Sequence, residues 1–163
     1  MKEDGFLTEF KNTKKFEEAI AEFTGSKHCI AVNNGTISLT LAALALGIKP
    51  GDEVIVFDPC YDSYEPAIEL AGGKAIHVPL TQKDFTIDWE LVKKSIGNRT
   101  RMIIINSPHN PSGTTLNHED LSQLEQLAEE KDLLVISDEV YEHLVFDQKQ
   151  HLSVLQYPAL RKR

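Results

Sequence analysis

The sequence predicts an α/β fold, a three-layer αβα arrangement with a mostly parallel sheet, and two observations lead to it. Apolar segments of strand length alternate with segments of helix length along the chain. The predicted strands are continuous runs of Val, Ile and Leu, as in "LLVIS" at residues 133–137, and such runs are typical of strands that helices cover on both faces. At 163 residues with 41% hydrophobic residues, the chain is long enough for one such domain.

The first fifty residues contain two predicted helices and one predicted strand. Residues 13–25 have the pattern of an amphipathic helix that ends at Gly25. Its apolar residues recur at helical spacing: Phe16, Ala19, Ile20 and Phe23. Residues 28–32, "HCIAV", read as a short strand, and residues 36–47 are helical in length and apolar on nearly every side. A helix of that kind is expected to be buried.

The remaining elements alternate regularly. Strands are predicted at residues 53–57, 74–80, 101–105 and 133–137, and helices at residues 62–73, 88–96 and 117–131. The last of these helices has Asn117 at its start and Asp120 three residues later, which is the pattern of a capping box.

Clusters of polar and aromatic residues follow four of the predicted strands directly. They are "NNGT" (33–36), "DPCYDSY" (58–64), "NSPHNPSG" (106–113) and "SDEVY" (137–141). In a doubly wound sheet, ligands bind outside the carboxyl ends of the strands. The four clusters therefore predict a ligand site along one edge of the sheet.

The individual residues of these clusters each allow two interpretations. Asn34–Thr36 opens a helix, so it either binds an anion such as phosphate or forms an ordinary cap and turn. Tyr61 and Tyr64 either stack on a flat ring or pack in the core. Asp138 follows a buried strand, where it either pairs with a cation or caps a helix at "EVYEHL" that carries Tyr141. The Asn residues of "NSPHNPSG" either tie backbone groups or hold a ligand.

Composition disfavours several other classes of protein. The net charge is −8, and basic residues cluster only in the final "RKR", which disfavours nucleic-acid binding. No apolar run approaches the roughly 18 residues of a membrane helix, and the first ten residues lack the apolar core of a signal peptide, so we expect a cytoplasmic protein. Cys29 and Cys60 have no disulfide or metal-ligand spacing, and His109 and His118 read as loop histidines, so no metal site is expected. Walker, G-x-G-x-x-G and G-x-S-x-G motifs are absent.

Three long segments carry a resemblance to a known family. "GDEVIVFDPCYDSYEPAI", "NSPHNPSGTTL" and "ISDEVYEHLVF" resemble the large domain of fold type I aminotransferases, which depend on pyridoxal 5′-phosphate (PLP). Over residues 52–158 the chain is similar to the class I/II group, in particular to its methionine and kynurenine aminotransferase branch.

The N-terminal segment resembles a different branch of the same superfold. "FEEAIAEFTGSKHCIAVNNGTISLTLAALALGIKPGDEVIV" is similar to the sugar aminotransferases (DegT/DnrJ/EryC1). "GDEVIV" is common to both patterns, so our hypothesis is a chimera or fusion joined there. The predicted organisation is then one partial PLP-binding large domain over residues 1–163, with a sugar-aminotransferase-like part (1–52) and a class I/II-like part (53–163).

The resemblance implies a role for each residue of the predicted edge. Asp138 would pair with the nitrogen of the PLP ring, where a carboxylate raises the pKa of a pyridinium by about 1–3 units and so maintains the electron sink. Asn106 would only tie the turn. Gly35, Thr36 and the N–H of Ile37 would bind the phosphate of PLP. Tyr61 would stack on the ring, and Asn110 and Tyr141 would hydrogen-bond its 3′-oxygen.

The resemblance also implies which parts of the parent enzyme are missing. The family's Schiff-base Lys lies in a Ser-x-x-Lys-type segment well after "DEVYEHL", whereas Lys149 and Lys162 stand in other contexts. The small domain with its substrate-binding Arg is also missing. Loss of general-base catalysis alone lowers rates by about 10²–10⁴. We therefore expect a truncated domain that is inactive alone and binds PLP weakly and without a covalent bond.

Two other functions remain possible for this chain, and the resemblance also implies its substrates and partners. One is an engineered or fused α/β scaffold without activity, and the other is a PLP lyase or decarboxylase of the same fold. The parent family acts on amino acids and 2-oxo acids, and no nucleic-acid or membrane partner is expected. Apolar strand edges and the apolar helix at residues 36–47 predict a homo-oligomer.

Overall fold

A computed structural model describes residues 11–163, and these residues divide into two compact units that meet between Ile37 and Ser38. In the first unit, helix α1 spans Lys11–Thr24, and none of its residues is buried. The carboxylate of Glu17 accepts a hydrogen bond from the backbone N–H of Ala31 at 2.8 Å. This bond ties the segment after α1 back to the helix.

The second unit contains a four-stranded parallel sheet. Its strands are β1 (Glu53–Asp58), β2 (Lys74–Pro79), β3 (Thr100–Asn106) and β4 (Leu134–Asp138), in the spatial order β2-β1-β3-β4. The helices are α2 (Gly35–Ala45), α3 (Tyr64–Leu70), α4 (Trp89–Ser95) and α5 (His118–Lys131). The chain moves outward from β1 to β2 and then returns to β3. The switch in direction therefore lies between β1 and β3, where doubly wound sheets bind ligands.

Alternate residues of the central strands point to opposite faces and build two separate cores. Ile55 and Ile103 belong to a core with Leu121 and Leu124 of α5. The residues next to them in sequence point to the other face of the sheet and form a second core with α2 and α3. This core includes Val54, Val56, Met102 and Ile104 of the strands and Leu39, Ala43, Ala67 and Ile68 of the helices. The structure thus confirms the predicted three-layer αβα fold and explains why the middle residues of β1 and β3 are apolar on both faces of the sheet.

Capping residues define the helices on one face of the sheet. The side chain of Asn117 accepts hydrogen bonds from the N–H groups of Glu119 and Asp120, and the carboxylate of Asp120 accepts one from the N–H of Asn117. The predicted capping box of α5 is therefore confirmed.

Two predictions about the N-terminal part of the chain are wrong. Residues 28–32 form no strand, and Ile30 is 80% exposed. A short apolar run forms a strand only where a neighbouring strand pairs with it, and none of the described strands pairs with this run. Helix α2 is buried only at Leu39 and Ala43, while Leu41 and Leu44 are half exposed.

The segment after β4 is irregular. A turn follows Asp138, and two short 3₁₀ turns lie at Val154–Gln156 and Leu160–Lys162. Glu139 fixes this segment, because its carboxylate accepts from the N–H of Val154 at 3.0 Å and contacts a ring nitrogen of His151 at 2.8 Å. Among the described helices, none is both long and apolar enough to cross a membrane.

Candidate functional site

Asp138, the last residue of β4, is the centre of the candidate site. Its Oδ2 accepts a hydrogen bond from the hydroxyl of Tyr64 at 2.8 Å, and its Oδ1 accepts one from the N–H of Val140 at 3.2 Å. The carboxylate is half-buried, and such a group is stabilised by two donors. The strand thus ends in a carboxylate whose orientation is fixed from two sides.

Tyr64 is a residue of the site that the sequence did not identify as a hydrogen-bond donor. It is the first residue of α3, and its side chain is buried in the core formed with α2 and α3. Burial, together with the charge of Asp138 and the hydrogen bond to it, raises the pKa of the Tyr64 phenol far above its usual range. The Tyr64 phenol therefore stays protonated, and its hydroxyl donates a hydrogen bond to the carboxylate of Asp138. The only sequence signal was a second aromatic residue three positions after Tyr61.

The turn after β3 is linked to the end of β4 by Asn106. Its Nδ2 donates to the carbonyl of Asp138 at 2.9 Å, and its Oδ1 accepts from the N–H of Asn110 at 2.7 Å. The N–H of Ser107 also donates to the carbonyl of Asp138. Asn106 ties the turn, as expected, and brings Asn110 to the same edge of the sheet as Asp138.

Tyr61 and Tyr141 lie in the loops that follow β1 and β4. The ring of Tyr61 contacts that of Tyr64 edge to face, with centroids 5.6 Å apart. Tyr141 is half-buried in a turn rather than in the helix that the sequence suggested. Asp138 therefore does not cap a helix; it stabilises the turn through the N–H of Val140.

The predicted phosphate residues begin helix α2. The N–H of Ile37 donates to Oδ1 of Asn34 at 2.9 Å, so the ordinary cap is present. Gly35 and Thr36 are exposed, and a Cβ built at Gly35 meets no described atom within 4 Å. The roles of Gly35, Thr36 and Ile37 in binding phosphate stay predictions.

Other titratable groups near this edge have clear structural partners. His109 contacts Ser112 Oγ through Nδ1 at 2.7 Å, and burial lowers the pKa of its imidazole. His118 contacts the hydroxyl of Tyr157 at 2.7 Å, so both histidines are hydrogen-bonded, but His118 is the first residue of α5 rather than a loop residue. Burial, followed by the hydrogen bond to Asp58, raises the pKa of the Cys60 thiol to about 11.

The chemistry of these side chains fits a flat cationic ring. A carboxylate with two accepted hydrogen bonds keeps lone pairs for a third donor, so Asp138 is able to accept from a ring N–H. Tyr61 contacts Tyr64, which donates to Asp138, whereas the roles of Tyr61, Asn110 and Tyr141 in holding a ring stay predictions. The fold thus defines a doubly wound α/β domain with polar and aromatic residues at the carboxyl ends of its strands.

Comparison with known proteins places the chain in a family. The family "Aminotransferase class I and II" matches residues 2–162, and the chain belongs to it. It is 45% identical over 134 residues to the methionine aminotransferase of Escherichia coli, covering 82% of this chain and 35% of that protein. It is 41% identical over 126 residues to a probable N-succinyldiaminopimelate aminotransferase of Mycobacterium tuberculosis, covering 76% of this chain and 32% of the relative.

A solved structure agrees with these relatives. The crystal structure of an Escherichia coli protein identified as a methionine aminotransferase has a TM-score of 0.74 and 45% identity, covering 79% of this chain and 34% of that one. The chain thus spans about a third of the length of the relatives that it matches. The family match runs across residue 52, and it gives no support to a chimera or to a sugar-aminotransferase origin for residues 1–52.

Proposed function

We propose that this chain is the PLP-binding part of the large domain of an amino acid aminotransferase. The observation that carries the proposal is the network at the carboxyl ends of β3 and β4. There the side chain of Asp138 is held by Tyr64, and its carbonyl by Asn106. A carboxylate fixed in this way at the edge of a doubly wound sheet is suited to hold a ring cation in one orientation.

Each residue of the network has a separate task in this proposal. Asp138 accepts a hydrogen bond from the ring nitrogen and keeps its proton in place, while Tyr64 holds the carboxylate in position. Tyr61 covers one face of the ring, and Asn110 and Tyr141 hold its 3′-oxygen. When bound, PLP supplies an electron sink for the electrons left when an amino acid loses its α-proton.

The phosphate contacts of the proposal lie at the start of α2. Gly35 and Thr36 would bind the phosphate with backbone N–H groups and a hydroxyl, since the positive end of a helix favours an anion. The N–H of Ile37 now donates to Asn34, so this donor would have to be shared between the amide oxygen and the phosphate.

The reaction proposed for the parent protein is transfer of an amino group from an amino acid to a 2-oxo acid. Residues 1–163 contain no Ser-x-x-Lys-type segment after "DEVYEHL", so we expect these residues alone to bind PLP without a covalent bond and not to transaminate. We also propose that the protein is cytoplasmic and forms a homo-oligomer.

Binding of pyridoxamine 5′-phosphate by calorimetry tests the cofactor site. This form of the cofactor has no aldehyde, so it does not react with surface lysines. We expect the chain to bind it and the Asp138→Asn variant to bind at least tenfold more weakly, because the amide cannot hold the ring proton as a carboxylate does. Asp147→Asn, in an exposed loop, should leave the affinity unchanged.

Two outcomes would contradict the proposal. One is no binding at millimolar protein by a chain whose far-ultraviolet circular dichroism shows it to be folded. The other is equal affinity in Asp138→Asn and the unmodified chain. Either outcome would favour the reading of this chain as an α/β scaffold without a cofactor.

A further inference from the structure

A second group of side chains lies where β1 and β2 pair, near the carboxyl end of β1. A carboxylate oxygen of Asp58, the sulfur of Cys60 and a ring nitrogen of His77 all lie within 4.8 Å of one another. Asp58 ends β1, Cys60 follows it, and His77 belongs to the edge strand β2. The ligands come from separate parts of the chain, which explains why their spacing in the sequence shows no metal motif.

The sheet itself brings these residues together. His77 lies opposite Val56 in the parallel register of β1 and β2, and Asp58 lies two residues beyond Val56. Residues opposite one another and residues two apart share a face of a sheet. The side chains of His77 and Asp58 therefore project to the face that α3 covers, and Nδ1 of His77 lies 2.9 Å from Oδ1 of Asp58.

The other ring nitrogen of His77 faces a second carboxylate. Nε2 lies 3.5 Å from Oε1 of Glu65 on α3. Histidines that bind metals commonly donate their second ring N–H to a carboxylate, which fixes the tautomer and the orientation of the ring. Glu65 occupies this position for a metal ion bound at Nδ1 of His77.

We propose that Asp58, Cys60 and Nδ1 of His77 form a site for a divalent zinc-type cation, with Glu65 orienting His77. Zinc binds oxygen and nitrogen at about 2.0–2.2 Å and sulfur at about 2.3 Å, so its tetrahedral ligands stand roughly 3.3–3.8 Å apart. The three ligand atoms lie within 4.8 Å of one another, so metal binding requires small side-chain rotations, chiefly of the partly exposed Asp58 and His77. On binding, the Cys60 thiol releases its proton to solvent, and the thiolate becomes a ligand.

Access and ligand chemistry support the same assignment. The side chains of Asp58, His77 and Glu65 are 44%, 34% and 51% exposed, so an ion reaches these three from solvent, and Cys60 beside them is partly buried. A set of one sulfur, one nitrogen and one oxygen suits zinc and leaves a fourth position for water.

Titration of the reduced, metal-free chain with Co²⁺ tests the proposal, because cobalt replaces zinc and reports its ligands by absorption. We expect one equivalent to produce a thiolate-to-cobalt charge-transfer band in the near ultraviolet and tetrahedral bands in the visible, both removed by added Zn²⁺. Cys60→Ser should abolish the charge-transfer band, whereas Cys29→Ser should leave it unchanged. His77→Gln should weaken binding at least tenfold, and Glu65→Gln by about tenfold.

Circular dichroism of each variant separates loss of the site from loss of the fold. Absence of the charge-transfer band in the folded, reduced chain at micromolar Co²⁺ overturns the proposal. A band that persists in Cys60→Ser, or that is lost equally in Cys29→Ser, assigns the metal elsewhere and overturns it as well. None of these measurements uses the cofactor, so the result is independent of the proposed function.

Discussion

Asp138 shows how much of the candidate site depends on single hydrogen bonds. Its side chain is held by Tyr64 and Val140, and its carbonyl by Asn106 and Ser107. The two ends of this residue are therefore fixed by different elements, the side chain by α3 and the carbonyl by the turn after β3. A carboxylate positioned in this way does not have to be reoriented when a cationic ligand arrives.

Replacement of Tyr64 by Phe measures the bond between α3 and Asp138. The variant keeps the ring in the core but removes the hydroxyl that donates to Oδ2. Because hydrogen bonds to charged groups contribute about 1.5–3 kcal/mol when buried, and this carboxylate is half-buried, we expect the free energy of unfolding to fall by about 1–2 kcal/mol. Urea unfolding followed by circular dichroism measures the change.

Tyr61→Phe is the matched control for this variant. Tyr61 lies in the same aromatic pair, but its hydroxyl donates to no other described residue, so its loss should change stability by no more than about 0.5 kcal/mol. Equal losses in the two variants would show that the hydroxyl of Tyr64 contributes nothing through Asp138.

At the level of elements, pairing and packing within the sheet decide whether a segment forms the strand or helix that its own sequence predicts. The strands from Glu53–Asp58 to Leu134–Asp138 form as predicted because each pairs with a neighbour and has residues in or packed against both hydrophobic cores. Residues 28–32 have similar composition but pair with no described strand, and they form none. The capping box at Asn117 is local and was predictable, whereas the bond from Tyr64 to Asp138 joins residues 74 positions apart and was not.

Gly73, between α3 and β2, is required by the close approach of two core side chains. A Cβ at this position would lie 2.7 Å from Cγ2 of Ile48 and 3.1 Å from Cγ2 of Ile68. Both isoleucines are buried, so neither side chain has space to move away. We expect Gly73→Ala to lower the free energy of unfolding by about 1–3 kcal/mol, as overpacked cores do, when measured by urea unfolding.

Gly97, in the loop between α4 and β3, provides the comparison. A Cβ there would meet only Oε2 of Glu53, at 3.6 Å, which is an ordinary contact. Gly97→Ala should therefore change stability by no more than about 0.5 kcal/mol or increase it slightly. If the two alanine variants were equally stable, close packing would not be the reason for a glycine at position 73.

At the scale of the whole molecule, the two units differ in how much they bury. Both hydrophobic cores consist of residues between Leu39 and Leu160. Among residues 11–37, none is buried. Since burial of apolar surface is the main source of stability, the cooperative unfolding of this chain should arise from the unit of residues 38–163.

Deletion of residues 1–32 tests this division, and it keeps Asn34 to cap α2. We expect the shortened chain to unfold in one cooperative transition in urea, with a free energy of unfolding within about 1 kcal/mol of the full chain, because surface changes seldom exceed that amount. Leu124→Ala in the shortened chain should lower stability by about 2–5 kcal/mol, since Leu124 is fully buried on α5. A shortened chain without a cooperative transition, beside a full chain that has one, would show that residues 1–32 are part of the folding unit although none of residues 11–32 is buried.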